Sequence, residues 1–214
     1  MFTGQVSTIG RITLIAERNK HIYMTCMAHC TPERLIPHHQ IMCEGVALPI
    51  IERGAATGED ATEKRSWFTV EVAGTLLDRT TIGGWKKDKR LNLEMPLTYG
   101  SQITGHLVNG RPDVQVKLVD LQKIGDTYQL FFAAPKKLLP FLVEQGNIAL
   151  NGVSLGIHQV NEVFFSSYVV PTHWEFTTLS SLKIGDLVHA EVDTLARYAA
   201  KLVETGQTGR LVKS

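Results

Sequence analysis

Gly45-Val46-Ala47-Leu48-Pro49-Ile50 returns later in the chain as Gly152-Val153-Ser154-Leu155-Gly156-Ile157, and this repetition decides the architecture. Further pairs flank it. Phe2-Thr3-Gly4-Gln5-Val6 has a weaker echo in Ile103-Thr104-Gly105-His106-Leu107. Thr80-Thr81-Ile82 answers Thr177-Thr178-Leu179, and Leu91-Asn92-Leu93-Glu94 answers Val188-His189-Ala190-Glu191. The pairs keep the same order in both halves. The offset is 107 residues at Gly45 and 97 at Thr80, so loop-sized insertions separate two copies of one unit. Solenoid repeats have periods of roughly 20 to 50 residues, so this is a duplicated domain with two similar binding surfaces rather than a repeat array.

The segments between these landmarks are short and strand-like. Phe68-Thr69-Val70-Glu71-Val72 and Val114-Gln115-Val116-Lys117-Leu118 alternate apolar and polar residues, as half-buried strands do. Tyr128–Phe132, Asn147–Leu150 and Leu187–Val192 fit the same reading. Glu44-Gly45 and Asn151-Gly152 lie between such runs, where glycine takes the positive φ of a tight turn. Many short strands with frequent turns predict a sandwich or small barrel.

Helical signals are fewer. Pro135–Val143 begins with a proline suited to a first turn, although Pro140 limits any helix there. A short helix is expected after Thr31-Pro32-Glu33. The clearest helix follows Asp193 or Thr194 as cap, with Leu195, Tyr198, Ala199, Leu202 and Val203 in one apolar stripe. That stripe must pack on something, either its own barrel or the same helix of other subunits. The polar stretch Arg53–Ser66 reads as a loop inserted in the first copy, and the chain after Glu204 as a polar tail.

The 214 residues suffice for two small domains, and 22 basic against 21 acidic residues remove the broad electrostatic argument for nucleic acid or an anionic membrane. No apolar run approaches the roughly 18 to 20 residues that span a bilayer. The first residues lack the pattern of a signal peptide, and three cysteines argue against a disulfide framework, so a cytoplasmic protein is expected.

Cys26, His29, Cys30, His38, His39 and Cys43 crowd one region, but without the paired C-x2-C spacing of structural zinc sites, so they read as scattered strand and loop residues and no metal is expected. His106 follows Gly105, whose missing side chain permits close approach to a ligand. Ser154 lies just past a turn, where its hydroxyl can serve a ligand or the backbone. No G-x-S-x-G elbow surrounds it, and no phosphate loop or dinucleotide fingerprint occurs.

Met1-Phe2-Thr3-Gly4-x-Val6, the duplicated Gly-Val-x-Leu segment, the Thr-Thr pairs and the closing Ala190-Glu191-Val192-Asp193 together resemble riboflavin synthase of the alpha-chain type, over nearly the whole chain to about Leu202. The resemblance implies an all-β fold of two tandem six-stranded Greek-key closed β-barrels, over residues 1–97 and 98–192. A C-terminal helix and tail, residues 193–214, would assemble a homotrimer. It further implies that two molecules of 6,7-dimethyl-8-ribityllumazine give riboflavin and 5-amino-6-(D-ribitylamino)uracil without a cofactor. One lumazine would sit on an N-terminal barrel and the other on a neighbour's C-terminal barrel, and lumazine synthase is a candidate partner. Carried over residue by residue, His106, Ser154 and Asp193 take the catalytic positions, and Phe2, Gly4, Val6, Gly105, Leu155, Val170 and Pro171 the substrate-binding ones.

Departures from the family pattern fall on ligand-facing positions. The usual G-x-C-L-T reads Gly45-Val46-Ala47-Leu48-Pro49, and the D-G-x-S-L-T segment starts at Asn151 and ends at Gly156. Ser101 replaces a histidine and Gln145 a lysine. Thr75-Leu76-Leu77 stands for E-T-L. Pro49 removes a backbone donor as well as a hydroxyl. A buried ligand group left without its partner costs about 1 to 3 kcal/mol. The family's alternative, a lumazine- or flavin-binding protein without turnover, therefore stays open.

Overall fold

A computed structural model of the chain describes residues 1–18, 21–57, 65–77 and 79–206. Six strands, β1 (Thr8–Arg18), β2 (His21–Ala28), β3 (Gln40–Cys43), β4 (Val46–Ala55), β5 (Ser66–Val72) and β6 (Arg90–Glu94), close into an antiparallel barrel in the order β1-β2-β5-β4-β3-β6. Six more, β7 (Val114–Ile124), β8 (Thr127–Ala133), β9 (Asn147–Leu150), β10 (Val153–Val160), β11 (Phe164–Val169) and β12 (Leu187–Val192), close in the same order, β7-β8-β11-β10-β9-β12. The step from β2 across to β5 makes each a Greek key. Alternation is visible in the packing. Ser66, Phe68, Val70 and Val72 point inward on β5 while the residues between them are half-buried. Each barrel has its own core, around Phe68 and Leu93 in the first and Phe132 and Phe165 in the second.

The two copies also share their irregularities. The register slips between Ile12 and Leu14 on β1 and between Leu118 and Asp120 on β7. It slips again between Ile50 and Glu52 on β4 and between Ile157 and Gln159 on β10. Bulges bend and twist a strand, and a small barrel needs that curvature to close. Thr80 and Thr177 each accept a hydrogen bond from the backbone two residues on, at Ile82 and Leu179, opening matching one-turn 3-10 helices.

Tight turns bring the barrels together. Glu44 and Gly45 have φ of 48° and 83°, and Asn151 and Gly152 have 47° and 78°, so both β3–β4 and β9–β10 connections place two successive residues in the left-handed region. The two turns face each other. A Cβ on Gly45 would lie 2.8 Å from the Gly152 nitrogen, and one on Gly152 would lie 2.8 Å from that of Gly45. Beside them Phe2 and Val108 exchange backbone bonds of 2.8 and 3.0 Å. The structural counterpart of Phe2–Val6 is therefore Val108–Pro112, five residues beyond the echo visible in the sequence. Gly4 and Gly110 confirm this register, at φ of 73° and 71° and each accepting a backbone bond from the opposite barrel, from Ser154 and Ala47.

Two local expectations are narrowed. Pro135–Val143 holds only a 3-10 turn at Leu139–Phe141, because Pro140 lacks the donor that a longer helix requires. The loop expected over Arg53–Ser66 is shorter, since β4 runs to Ala55 and β5 starts at Ser66, and residues 58–64 lie outside the described residues. Of the polar tail, residues 207–214 lie outside them as well. The other helices are α1 (Gly74–Leu77), α2 (Pro171–Phe176) and α3 (Thr194–Glu204). Asp193 caps α3 by accepting from the Leu195 nitrogen at 2.9 Å. The stripe of α3 does not pack on its own barrel: Leu195, Tyr198 and Val203 are 75%, 65% and 70% exposed. Among the described residues no helix is long and apolar enough to cross a membrane.

Candidate functional site

Ser154 begins the outward edge of β10, just after the Asn151-Gly152 turn, and His106 arrives on the arm that links the barrels. Their side chains meet, with His106 Nδ1 2.7 Å from Ser154 Oγ. Two glycines make room. A Cβ on Gly105 would run into the Thr3 carbonyl and lie 3.0 Å from Ser154 Oγ, and one on Gly4 would lie 2.6 Å from Ser154 Cβ. Burial lowers the pKa of His106, while the nearby charge of Asp193 works in the opposite direction. The imidazole is therefore neutral at neutral pH and sits in the field of a carboxylate that favours its protonation during a reaction. Its Nε2 is buried with no partner among the described residues. Either tautomer suits the contact: Ser154 donates to Nδ1, or Nδ1 donates to Ser154 and leaves Nε2 as the free base.

The remaining substrate-binding candidates divide. Gly4 and Gly105 belong to this cluster. Val170 is exposed and Pro171 half-buried at the start of α2, which opens beside the groove lined by Val6, Val153 and Thr172. Phe2 is fully buried in a cluster with Met42, Val108 and Ala149 between the barrels, and Leu155 is buried inside the second barrel. Val6 packs against the second core. All three pack beside the arms and β10 on which Gly4, Gly105 and Ser154 stand, and Val6 also lines that groove. The cysteines Cys26, Cys30 and Cys43 are buried and free, and burial pushes the Cys26 thiol up to about 12.

The first barrel carries no equivalent of the dyad. The residue paired with Ser154 is Ala47, and Pro96 stands where the second barrel has Asp193. Both barrels, however, tie down their arms alike. Glu94 accepts from the Thr3 and Gly4 nitrogens at 2.6 and 3.0 Å, and Glu191 from those of Asn109 and Arg111 at 2.6 and 2.8 Å. Burial raises the pKa of each carboxyl.

A buried polar network behind the facing turns was not singled out from sequence. Glu44 Oε1 accepts from the Asn92 nitrogen at 2.7 Å and from the Thr178 hydroxyl at 2.8 Å. Asn151 Oδ1 accepts from the His189 nitrogen at 2.8 Å. His189 Nε2 accepts from the Thr81 nitrogen at 2.8 Å, so its Nδ1 carries the proton and donates to the Glu44 carbonyl at 2.7 Å. Burial holds this neutral histidine down to about 4. The signal was present in the matched Asn92/His189 and Thr81/Thr178 positions of the repeat.

Two stretches of the chain, residues 3–96 and 109–193, match the lumazine binding domain. The riboflavin synthase of Brucella abortus is 35% identical over 204 residues, covering 95% of this chain and 98% of that protein. The riboflavin synthase of Photobacterium phosphoreum is 25% identical over 206 residues, covering 95% and 89%. Two solved structures of LumP share the fold, one complexed with 6,7-dimethyl-8-(1'-D-ribityl) lumazine and one with riboflavin. Their TM-scores are 0.73 and 0.74 at 17% and 18% identity, and each comparison covers 90% of this chain and 99% of the other. The fold and the two matched stretches define a two-barrel protein built from paired lumazine binding domains. The chain belongs to the riboflavin synthase family.

Proposed function

We propose that the protein is a riboflavin synthase, converting two molecules of 6,7-dimethyl-8-ribityllumazine into riboflavin and 5-amino-6-(D-ribitylamino)uracil. A four-carbon unit passes from one lumazine to the other. The two products together hold the same atoms as the two substrates, so the reaction needs no external oxidant or reductant. The observation that carries this reading is the 2.7 Å contact of His106 with Ser154 in the field of Asp193, within a family whose named relatives are riboflavin synthases.

The chemistry asks for a base that takes a proton from an activated methyl group and for an oxygen nucleophile that adds to the second ring. The neutral His106 imidazole suits the first task, and the hydroxyl of Ser154, hydrogen-bonded to that ring, suits the second, directly or by placing a water. Asp193 lowers the cost of the imidazolium that forms. Proton transfer by a positioned side chain contributes typically 10²–10⁴-fold. Holding two flat substrates face to face, one on each kind of barrel, adds several kcal/mol through proximity. The exposed stripe of α3 supports assembly into a trimer that pairs the barrels of neighbouring subunits.

A second reading rests on Ala47, Pro49 and Pro96: the first barrel has lost polar groups, so the chain binds a lumazine or flavin without turnover. Mixing the protein with 6,7-dimethyl-8-ribityllumazine and following flavin absorbance decides between them. Riboflavin should form in proportion to protein. His106→Ala and Ser154→Ala should each slow it by about 10² or more, with the circular dichroism of the parent retained. A change in lumazine fluorescence without riboflavin would favour the second reading, and unchanged rates in both variants would remove the assignment of the dyad.

A further inference from the structure

A cavity of about 1240 Å³ lies at the foot of the second barrel, beneath the first turn of α3 and against the Arg79 edge of the first barrel. Four cationic side chains, Arg79, Arg111, Lys137 and Arg197, line it together with two carboxylates, Asp113 and Glu191. Both carboxylates are already engaged. Asp113 accepts from Arg197 Nη1 and Nη2 at 2.7 and 3.0 Å and from the Val192 nitrogen at 2.9 Å. Glu191 binds the Asn109 and Arg111 nitrogens. Arg197 is therefore fixed in orientation with donors to spare, while Arg79, Arg111 and Lys137 meet no carboxylate among the described residues. In a chain whose net charge is +1, this one cavity gathers four cations against two anions.

The duplication shows that the fold does not require this charge. Glu94 ties the first arm as Glu191 ties the second, yet the first barrel has Gln5 in the place of Arg111 and Ser7 in the place of Asp113. Arginine forks and a lysine that line one cavity with no carboxylate partner among the described residues, as Arg79, Arg111 and Lys137 do, suit the oxygens of a phosphate. The volume of about 1240 Å³ far exceeds what a bare ion fills and is large enough for a small molecule, whose pockets typically span about 300–1,000 Å³. None of the four cations touches the His106–Ser154 dyad.

We propose that this cavity is a second ligand site, which binds a small molecule through a phosphate or diphosphate group. Calorimetric titration of the full chain with sodium pyrophosphate, inorganic phosphate and flavin mononucleotide, at matched ionic strength, tests it. Saturable binding of at least one probe is expected. The double variant Arg111→Gln and Lys137→Ala should weaken it at least tenfold. Glutamine at 111 is the first barrel's own residue at the equivalent position, and both side chains are exposed, so the fold should be kept, as melting would check. Lys87→Ala, away from the cavity, should bind as the parent does. Binding of the inorganic anions would identify the phosphate group itself as the ligand. Binding of flavin mononucleotide alone, lost in the double variant, would identify a phosphorylated organic molecule. Absence of saturable binding, or binding that the double variant and Lys87→Ala leave equally unchanged, would overturn the proposal.

Discussion

Glu44→Gln separates charge from shape at the centre of the molecule. Glu44 is 2% exposed, and Oε1 receives both of its side-chain hydrogen bonds, from Asn92 and Thr178. Burial raises its carboxyl from 4.5 to about 7, against the smaller opposing effects of those two bonds and of Lys89. The unfolded chain releases this proton near 4.5, so between that pH and about 7 the folded chain holds a proton that the unfolded chain lacks. Stability therefore falls as pH rises through this window and levels off above it. At 1.36 kcal/mol per unit, the loss is about 3 kcal/mol as an order of magnitude. Glutamine keeps the Oε1 acceptor and the shape of the side chain, which with Lys89 lines a small groove. His189 works in the opposite direction, because a histidine lowered to about 4 costs stability as pH falls from 6.5 toward that value. It is present in both proteins and cancels in their difference. Guanidinium unfolding of parent and variant should show the variant gaining on the parent by about 3 kcal/mol between about pH 5 and about pH 8. A difference that does not change with pH would refute the reasoning, since a buried charge would then carry no penalty.

Other expectations follow from the comparison of the copies. Ser167 pairs with Ile157 as Val70 pairs with Ile50, yet its hydroxyl is buried without a partner among the described residues. Ser167→Ala should raise stability by about 1 kcal/mol in chemical unfolding, and a loss would show that the hydroxyl is satisfied. Gly152→Ala forces a Cβ against the Gly45 nitrogen at a φ of 78° and should cost about 2 kcal/mol or more. Gly156→Ala, with nothing within 4 Å, should change stability little, and equal effects would refute the facing-turn contact. Leu195→Asp combined with Tyr198→Asp should yield monomers by light scattering, and trimers that persist would show that α3 is not the assembly contact.

The fold was legible because its constraints are local and occur twice. Positive-φ glycines at 45 and 152, alternation at Phe68–Val72 and the cap at Asp193 each leave a short-range mark, and the second copy confirms the first. What failed was also local. The N-terminal echo was placed five residues early, because the arms are held by backbone bonds to Glu94 and Glu191 that leave no periodic pattern. Of the candidate site, His106 and Ser154 could be named from the family pattern, and Gly4 and Gly105 from their lack of a side chain. Phe2 and Leu155 turn out buried, and Val6 both packs on the second core and lines the neighbouring groove, a distinction of facing that a sequence motif does not carry. The His189 network depends on contacts across more than a hundred residues, and only its matched positions in the repeat hinted at it.

Duplication also separates the needs of folding from those of chemistry. Positions that stay alike in both copies, Gly45 and Gly152, Gly4 and Gly110, Glu94 and Glu191, Thr80 and Thr177, all make turn, cap or arm contacts. Positions that diverge, Ala47 against Ser154, Pro96 against Asp193, Gln5 against Arg111, point away from both cores or lie on the arms. The shared barrel fold accommodates either residue at each of these positions, so exchanging them between the copies tests whether the two barrels do different work. Ser154→Ala gives the second barrel the first barrel's residue and should leave the fold intact, so any effect on turnover reports chemistry.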